Sequence, residues 1–151
     1  EGREQETITR LARVGYDNTL GYLAGSMQSW IDAGFETAAI GRITATELET
    51  LMNNGEESVI DVRKPGEYNS AHIANVPNLP LDFINEHVAD FPSKKTTYLH
   101  CAGGYRSMIA ASILKARGFH NMIDVIGGFG QIKNTKLPMV TQECTSTCST
   151  K

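Results

Sequence analysis

Between residues 96 and 116 a short strand-forming run, Thr96-Thr97-Tyr98-Leu99, passes through His100-Cys101-Ala102-Gly103-Gly104-Tyr105 into Arg106–Ala116, where Ile109, Ile113 and Leu114 recur at helical spacing. A strand turned straight into a helix by a loop of small residues restricts the chain to layered α/β architectures. The first turn of such a helix carries unpaired N–H groups and the positive end of the dipole. Glycines in the loop let successive N–H groups turn inward as an anion-binding nest. Cys101 is therefore expected to be an exposed thiolate nucleophile at neutral pH, suited by its chemistry to acyl, phosphoryl or sulfur transfer.

The flanking sequence repeats the alternation. Thr44-Ala45-Thr46-Glu47 reads as a capping box opening a helix with Leu48, Leu51 and Met52 on its buried stripe and Gly55 as its stop. Ser58–Val62 reads as a strand, Leu81–Asp90 as a helix ending before Pro92, and Met122–Ile126 as a further strand behind the Gly118 helix stop. Strands separated by helices predict a parallel sheet with right-handed crossovers and helices on both faces. Ligands in such sheets bind beyond the carboxyl ends of the strands, where Cys101 lies.

Composition narrows the classes of function. The chain has 151 residues, 40% of them hydrophobic, enough for about one packed domain. A formal charge of −3 and the lack of a dense Lys/Arg cluster argue against nucleic acid. No stretch reaches the ~20 apolar residues of a membrane span, and no charged-then-apolar leader opens the chain. Cys101, Cys144 and Cys148 are too few for a disulfide framework, and a free thiolate suits a reducing compartment, so a cytoplasmic location is expected. The chain opens at Glu1 rather than methionine, which predicts a fragment or a processed product.

Three motifs in order carry a resemblance. They are Val59-Ile60-Asp61-Val62-Arg63-Lys64-Pro65-Gly66-Glu67-Tyr68 followed by Ala71-His72-Ile73-Ala74-Asn75-Val76-Pro77-Asn78-Leu79-Pro80-Leu81, then the Cys101 loop, then Arg117-Gly118-Phe119-His120-Asn121-Met122-Ile123-Asp124-Val125-Ile126-Gly127-Gly128. From about residue 43 to 133 the chain resembles the rhodanese (sulfurtransferase) family. Ala71 and Asn75 stand where that family has glycines, and Phe129–Lys133 lacks its tryptophan-bearing helix. The resemblance implies a three-layer fold with a central, mainly parallel sheet flanked by helices. It implies transfer of a sulfane sulfur from thiosulfate or a low-molecular-weight persulfide to a thiol or cyanide acceptor through a Cys101 persulfide, with no metal and no organic cofactor. Four residues separate Cys101 from Arg106. The related cysteine phosphatases carry one more, so a phosphatase or arsenate reductase is the weaker enzymatic alternative. A persulfide carrier or docking module is the non-enzymatic one.

Cys101 is thus the catalytic candidate, with Ala102, Gly103, Gly104, Tyr105, Arg106 and Ser107 as the substrate loop. Arg106 at a helix N-terminus opposes the dipole and predicts an anion beside it. Ser107 reads equally as a helix cap or a substrate contact, and Tyr105 as a residue on the loop crest. Asp61, Arg63, Glu67 and His72 read as structural support: an Arg63–Glu67 pair or an Asp61-to-backbone network bracing the turn, and a packed, hydrogen-bonded His72. Strand alternation turns His100 away from the nucleophile's face. Cys144 and Cys148 lie in a polar tail without a core-forming pattern.

The first 40 residues repeat the end of the domain. A shift of 103 positions aligns Leu11 with Leu114, Gly15 with Gly118, Asn18 with Asn121, Gly25 with Gly128 and Gln28 with Gln131. The expected organisation is residues 1–40 as the C-terminal part of an upstream rhodanese repeat, 41–138 as a complete domain and 139–151 as a flexible tail. Thr9–Leu23 also resembles the linker-side repeat of proteins that fuse a metallo-β-lactamase-fold domain to two rhodanese repeats, which names such an upstream domain as a partner. Ile8, Leu11, Ala12, a strand Leu20–Leu23 and Trp30 would form an apolar face, expected to dock either on the intact domain or on the same segment of a second copy as a homodimer.

Overall fold

The computed structural model describes residues 2–13, 17–55 and 58–141. The chain divides into two compact units, Glu1–Ala39 and Ile40–Lys151. Gly15 and Tyr16 of the repeat alignment, and the tail cysteines Cys144 and Cys148, lie outside the described residues.

In the first unit, α1 (Glu4–Ala12) has Glu4 and Glu6 in its first turn and Arg10 in its last, complementing the dipole. Glu6 pairs with Arg3 and Arg10 one turn to either side, at 3.0 and 2.6 Å. A left-handed Gly25 opens α2 (Ser26–Asp32), and neither helix contains a buried residue. The expected strand Leu20–Leu23 does not form: residues 17–23 have no regular structure, and Leu20 is 93% exposed. A strand is stabilised by the ladder it joins, and among the described residues no strand pairs with this segment.

The second unit is built on a parallel four-stranded sheet in the order β1 (Gly41–Ile43), β5 (Met122–Val125), β4 (Thr97–His100), β2 (Ser58–Asp61). Successive side chains point to opposite faces. Ile60, Leu99 and Met122 join one core cluster, and Val59, Tyr98 and Val125 the other. The first cluster is closed by α5 (Tyr105–Ala116) through Ala110, Ala111 and Leu114. The other is closed by α3 (Ala45–Asn53) and α6 (Gly128–Ile132) through Ala45, Leu48 and Ile132. Helices on both faces of a parallel sheet agree with the expected fold. The Thr44 capping box is present in both directions, Glu47 N–H to Thr44 Oγ1 at 3.2 Å and Thr44 N–H to Glu47 Oε2 at 2.7 Å.

Four local readings are corrected. Leu81–Asp90 is not one helix but two single 3₁₀ turns, Leu81–Phe83 and Val88–Asp90. The segment closes through i to i−3 bonds, Ile84 N–H to the Leu81 carbonyl and Phe91 N–H to that of Val88, and Ile84 and Phe91 are both buried in the same core cluster. On α5 the fully buried positions are Ser107, Ala110, Ala111 and Leu114, while Ile109 and Ile113 are half-buried. Leu114 faces inward as expected and Ile113 packs against the same cluster, while the alanines that let the helix lie close to the sheet leave Ile109 outside it. A helix does form within Phe129–Lys133, without tryptophan. Met139–Thr141, assigned to the tail from sequence, is β6, antiparallel to β3 (Ala71–Ile73).

Hydrogen exchange by mass spectrometry checks the account of the missing strand. Amides of residues 122–125 are expected to be protected at least 100-fold more than those of 19–22, since only the former sit in a ladder. Equal protection would show that residues 19–22 pair after all.

Candidate active site

At the carboxyl end of β4 the chain must reverse into α5 within four residues. Two main-chain bonds from α6 fix how it does so: Phe129 N–H donates to the Cys101 carbonyl at 2.6 Å and Gly130 N–H to the Ala102 carbonyl at 2.9 Å. With those carbonyls held toward α6, the loop N–H groups are free to face the sulfur. Gly104 N–H reaches Cys101 Sγ at 3.1 Å. The approach of α6 to the Cys101 carbonyl requires glycine at 128, because a Cβ there would lie 2.3 Å from that oxygen and its φ is +52°. Gly104, at φ +100°, makes the left-handed turn that starts α5.

Cys101 is not exposed as the sequence suggested; it is 1% accessible and packs in the same cluster as Leu99 and Ala110. Burial is the largest single influence on its thiol and pushes the pKa up. The Ser107 hydroxyl and the N–H groups of Ser107, Gly103 and Gly104 together outweigh it, so the net direction is down from the ordinary value. The nest thus favours the thiolate even inside the core.

Ser107 neither caps α5 nor faces outward. It is fully buried, with Oγ 3.5 Å from Cys101 Sγ and 2.6 Å from Asp124 Oδ1. Asp124, on β5, is fully buried and accepts from Arg42 Nε on β1 at 3.1 Å. The sequence reading passed over Asp124, although a lone carboxylate in Met122-Ile123-Asp124-Val125 was a visible signal.

The support residues pair differently from expectation. Glu67, on α4 (Pro65–Ser70), binds not Arg63 but Arg106, in a two-pronged pair at 2.6 and 2.8 Å. The Arg106 guanidinium brings the Glu67 pKa down to about 2. Arg106 therefore does not stand free for an anionic ligand; its dipole-opposed charge is answered by Glu67. Arg63 instead forks onto Asp61 at 2.7–3.1 Å, donates to the Ala71 carbonyl at 2.7 Å, and lies 3.9 Å over the Phe129 ring. Asp61 also accepts from the Arg63 N–H at 2.9 Å, which is the expected network to backbone.

His72 Nδ1 lies 2.9 Å from the Tyr68 carbonyl, with its ring stacked on Tyr68, away from Cys101's own hydrogen bonds. His100 is wholly buried on the Phe129 side, where burial holds its pKa below the ordinary value. Ala102, Gly103 and Tyr105 are exposed; Tyr105, at 80%, is the crest of the loop. Among the described residues no group of three or more His, Cys, Asp or Glu is arranged to hold a metal ion, and no helix is long and apolar enough to cross a membrane.

Comparison with known proteins bears on this geometry. The rhodanese-like domain model matches residues 44–135. The chain is 32% identical over 124 residues to the probable adenylyltransferase/sulfurtransferase MoeZ of Mycobacterium tuberculosis, covering 80% of this chain and 29% of that protein. It is 34% identical over 71 residues to the putative sulfur carrier protein YrkF of Bacillus subtilis, covering 47% of this chain and 38% of that one. The crystal structure of a rhodanese-like domain protein from Staphylococcus aureus superposes with a TM-score of 0.61 at 28% identity, over 68% of this chain and 99% of that chain.

Two outcomes follow from the loop and its brace. Gly128→Ala is expected to lower stability by about 2 kcal/mol or more in urea melts, through a strained φ and a clash with the Cys101 carbonyl. Glu67→Gln is expected to be less stable than the parent by about 1 kcal/mol at pH 7, discounted because the pair is partly solvated. The folded pKa of about 2 lies below the ordinary 4.5, so this contribution is complete above pH 4.5 and fades as pH falls toward 2. The two melting curves should converge over that interval.

Proposed function

The chain belongs to the rhodanese-like family, and on that footing we propose that it is a sulfurtransferase working through a Cys101 persulfide. The observation that carries this reading is a buried sulfur facing Gly104 N–H inside a four-residue loop whose carbonyls are drawn away by α6. A ring of N–H groups this small suits one terminal sulfur better than a tetrahedral phosphate. The Cys101 thiolate attacks the outer sulfur of a persulfide R–S–S⁻; the donor S–S bond breaks, a Cys101 S–S⁻ forms and RS⁻ leaves. With thiosulfate the leaving group is sulfite. An acceptor thiolate, or cyanide, then takes the outer sulfur and returns Cys101 to the thiolate. The loop N–H groups hold the negative charge on the outer sulfur in the intermediate. The names of the relatives, one a sulfurtransferase and one a sulfur carrier, support the same chemistry.

A carrier role, in which Cys101 passes sulfur between protein partners without fast turnover of small donors, has one observation in its favour. The guanidinium nearest the loop is already bound by Glu67, so a small dianion such as thiosulfate would have to compete with a carboxylate for it. Turnover with thiosulfate and with organic persulfides separates the two roles.

We also infer that residues 1–39 are the closing part of another rhodanese-like copy. Support comes from helix α1 matching α5 and from a shared backbone signature: consecutive left-handed residues Gly25 (φ 75°) and Ser26 (φ 55°) correspond to Gly127 (φ 75°) and Gly128 (φ 52°). That correspondence needs a shift of 102, so one residue is added between Asn18 and Gly25 relative to Asn121 and Gly127. The upstream metallo-β-lactamase-fold partner rests on the Thr9–Leu23 resemblance, and the parent gene's sequence upstream of Glu1 tests it.

Donor treatment followed by intact-mass and peptide spectrometry tests the main reading. One sulfur added to Cys101, lost on mixing with a thiol or cyanide, is expected in the parent chain and absent in a folded Cys101→Ser variant. Sulfur on Cys144 or Cys148 alone would overturn the assignment.

A further inference from the structure

Behind Cys101 runs a continuous polar chain that the transfer chemistry does not use: Cys101 Sγ, Ser107 Oγ at 3.5 Å, Asp124 Oδ1 at 2.6 Å from that oxygen, and Arg42 Nε at 3.1 Å from Asp124 Oδ2. The inner members are wholly buried, while the Arg42 side chain is 48% exposed. A hydroxyl has one hydrogen to give, and Ser107 stands between two acceptors whenever Cys101 is a thiolate. The two distances, 2.6 Å to the carboxylate and 3.5 Å to the larger sulfur atom, are both within hydrogen-bond reach, so rotation of one hydroxyl decides which acceptor takes the hydrogen.

We propose that Asp124 is a positioning residue that governs whether Cys101 carries its proton, by holding the single hydroxyl hydrogen of Ser107. With the hydrogen on Asp124, Ser107 turns a lone pair toward the sulfur and accepts from an S–H, which favours the protonated thiol. When that proton leaves to solvent at the loop, the Ser107 hydroxyl rotates, breaks its bond to Asp124 and donates to the thiolate. Asp124 then keeps its bond to Arg42. The residue opposes the thiolate a second way, as a fixed negative charge behind it that Arg42 partly offsets.

Other charged groups around the sulfur are already paired. Arg106 of α5 is bound to Glu67 of α4, and Asp61 to Arg63 at the end of β2. His100 of β4 is held toward its neutral form by burial, and α6 contributes no titratable side chain. Asp124 is thus the buried carboxylate joined to the sulfur through one hydroxyl. Because the inference concerns the proton on Cys101, it holds whether the loop transfers sulfur or merely carries it.

The test is the pH dependence of Cys101 alkylation by iodoacetamide in the full chain, read on the Cys101 peptide by mass spectrometry. Asp124→Asn is expected to move the midpoint down by about one pH unit, roughly a tenfold faster reaction below the midpoint. Ser107→Ala should move it up. In the Ser107→Ala background the Asp124→Asn shift should fall to less than half, leaving the direct charge effect. A structural role for Asp124 would lower the melting temperature without moving the midpoint. If Asp124→Asn does not fold, Arg42→Gln, at a half-exposed position, should move the midpoint up by leaving the carboxylate unopposed. An unmoved or upward midpoint in folded Asp124→Asn, or a shift of equal size without the Ser107 hydroxyl, would overturn the proposal. So would an unmoved or downward midpoint in Arg42→Gln.

Discussion

The site depends on two hydrogen bonds that contain no side-chain atoms. Phe129 and Gly130 of α6 donate to the carbonyls of Cys101 and Ala102, and in doing so decide which way the loop's peptide planes face. A peptide whose carbonyl is turned down must turn its N–H up, so the two bonds help create the nest around the sulfur. The spacing leaves no room for a Cβ at Gly128. The glycine pair at the end of β5 and the cysteine at the end of β4 are therefore one feature, joined across neighbouring strands of the sheet.

Electrostatics around the loop follow a consistent rule: charges near the sulfur are present but answered. Arg106 opposes the α5 dipole and is bound by Glu67; Arg63 is buried but forked onto Asp61 and stacked on Phe129. The buried Arg63–Asp61 pair costs desolvation that its attraction only offsets, and removing one partner would leave the other to bear that penalty, while the partly solvated Arg106–Glu67 pair is worth less either way. Their value here is positional. Glu67 ties α4 to α5, and Arg63 ties the end of β2 to α6 and to the Ala71 carbonyl, bracing the loop from two sides. The net pull on Cys101 is left to peptide N–H groups and Ser107, working against the burial that surrounds it.

Much of this was legible along the chain. The Thr44 capping box, the strands read as Ser58–Val62 and Thr96–Leu99 and found one residue away at Ser58–Asp61 and Thr97–His100, and the cysteine at a strand-to-helix turn each rest on local spacing, which the sequence displays directly. The resemblance extended that reading to a family and a chemistry. The readings that failed had tertiary causes. Leu81–Asp90 has helical spacing, but its chain closes into two separate turns that bury Ile84 and Phe91 in one cluster. Leu20–Leu23 has strand composition, but among the described residues no ladder to join. Ser107 looked like a cap because it opens a helix, and was claimed by a carboxylate 17 positions away.

What the sequence determined by itself was therefore the alternation of the central strands and helices, the place of the cysteine at a strand-to-helix turn and the small residues that let backbone approach it. Those are properties of neighbours in the chain, carried by periodicity and by the conformational freedom of glycine. Only the tertiary structure decided the partners of the charges. Glu67 could have reached Arg63 four positions away and instead binds Arg106, 39 positions away; Asp124 sits opposite Arg42 because β1 and β5 pair in that register. Sequence spacing limits which groups can meet within one element. Across elements, the choice belongs to the sheet order and register, which bring distant side chains to hydrogen-bond distance and bury them together.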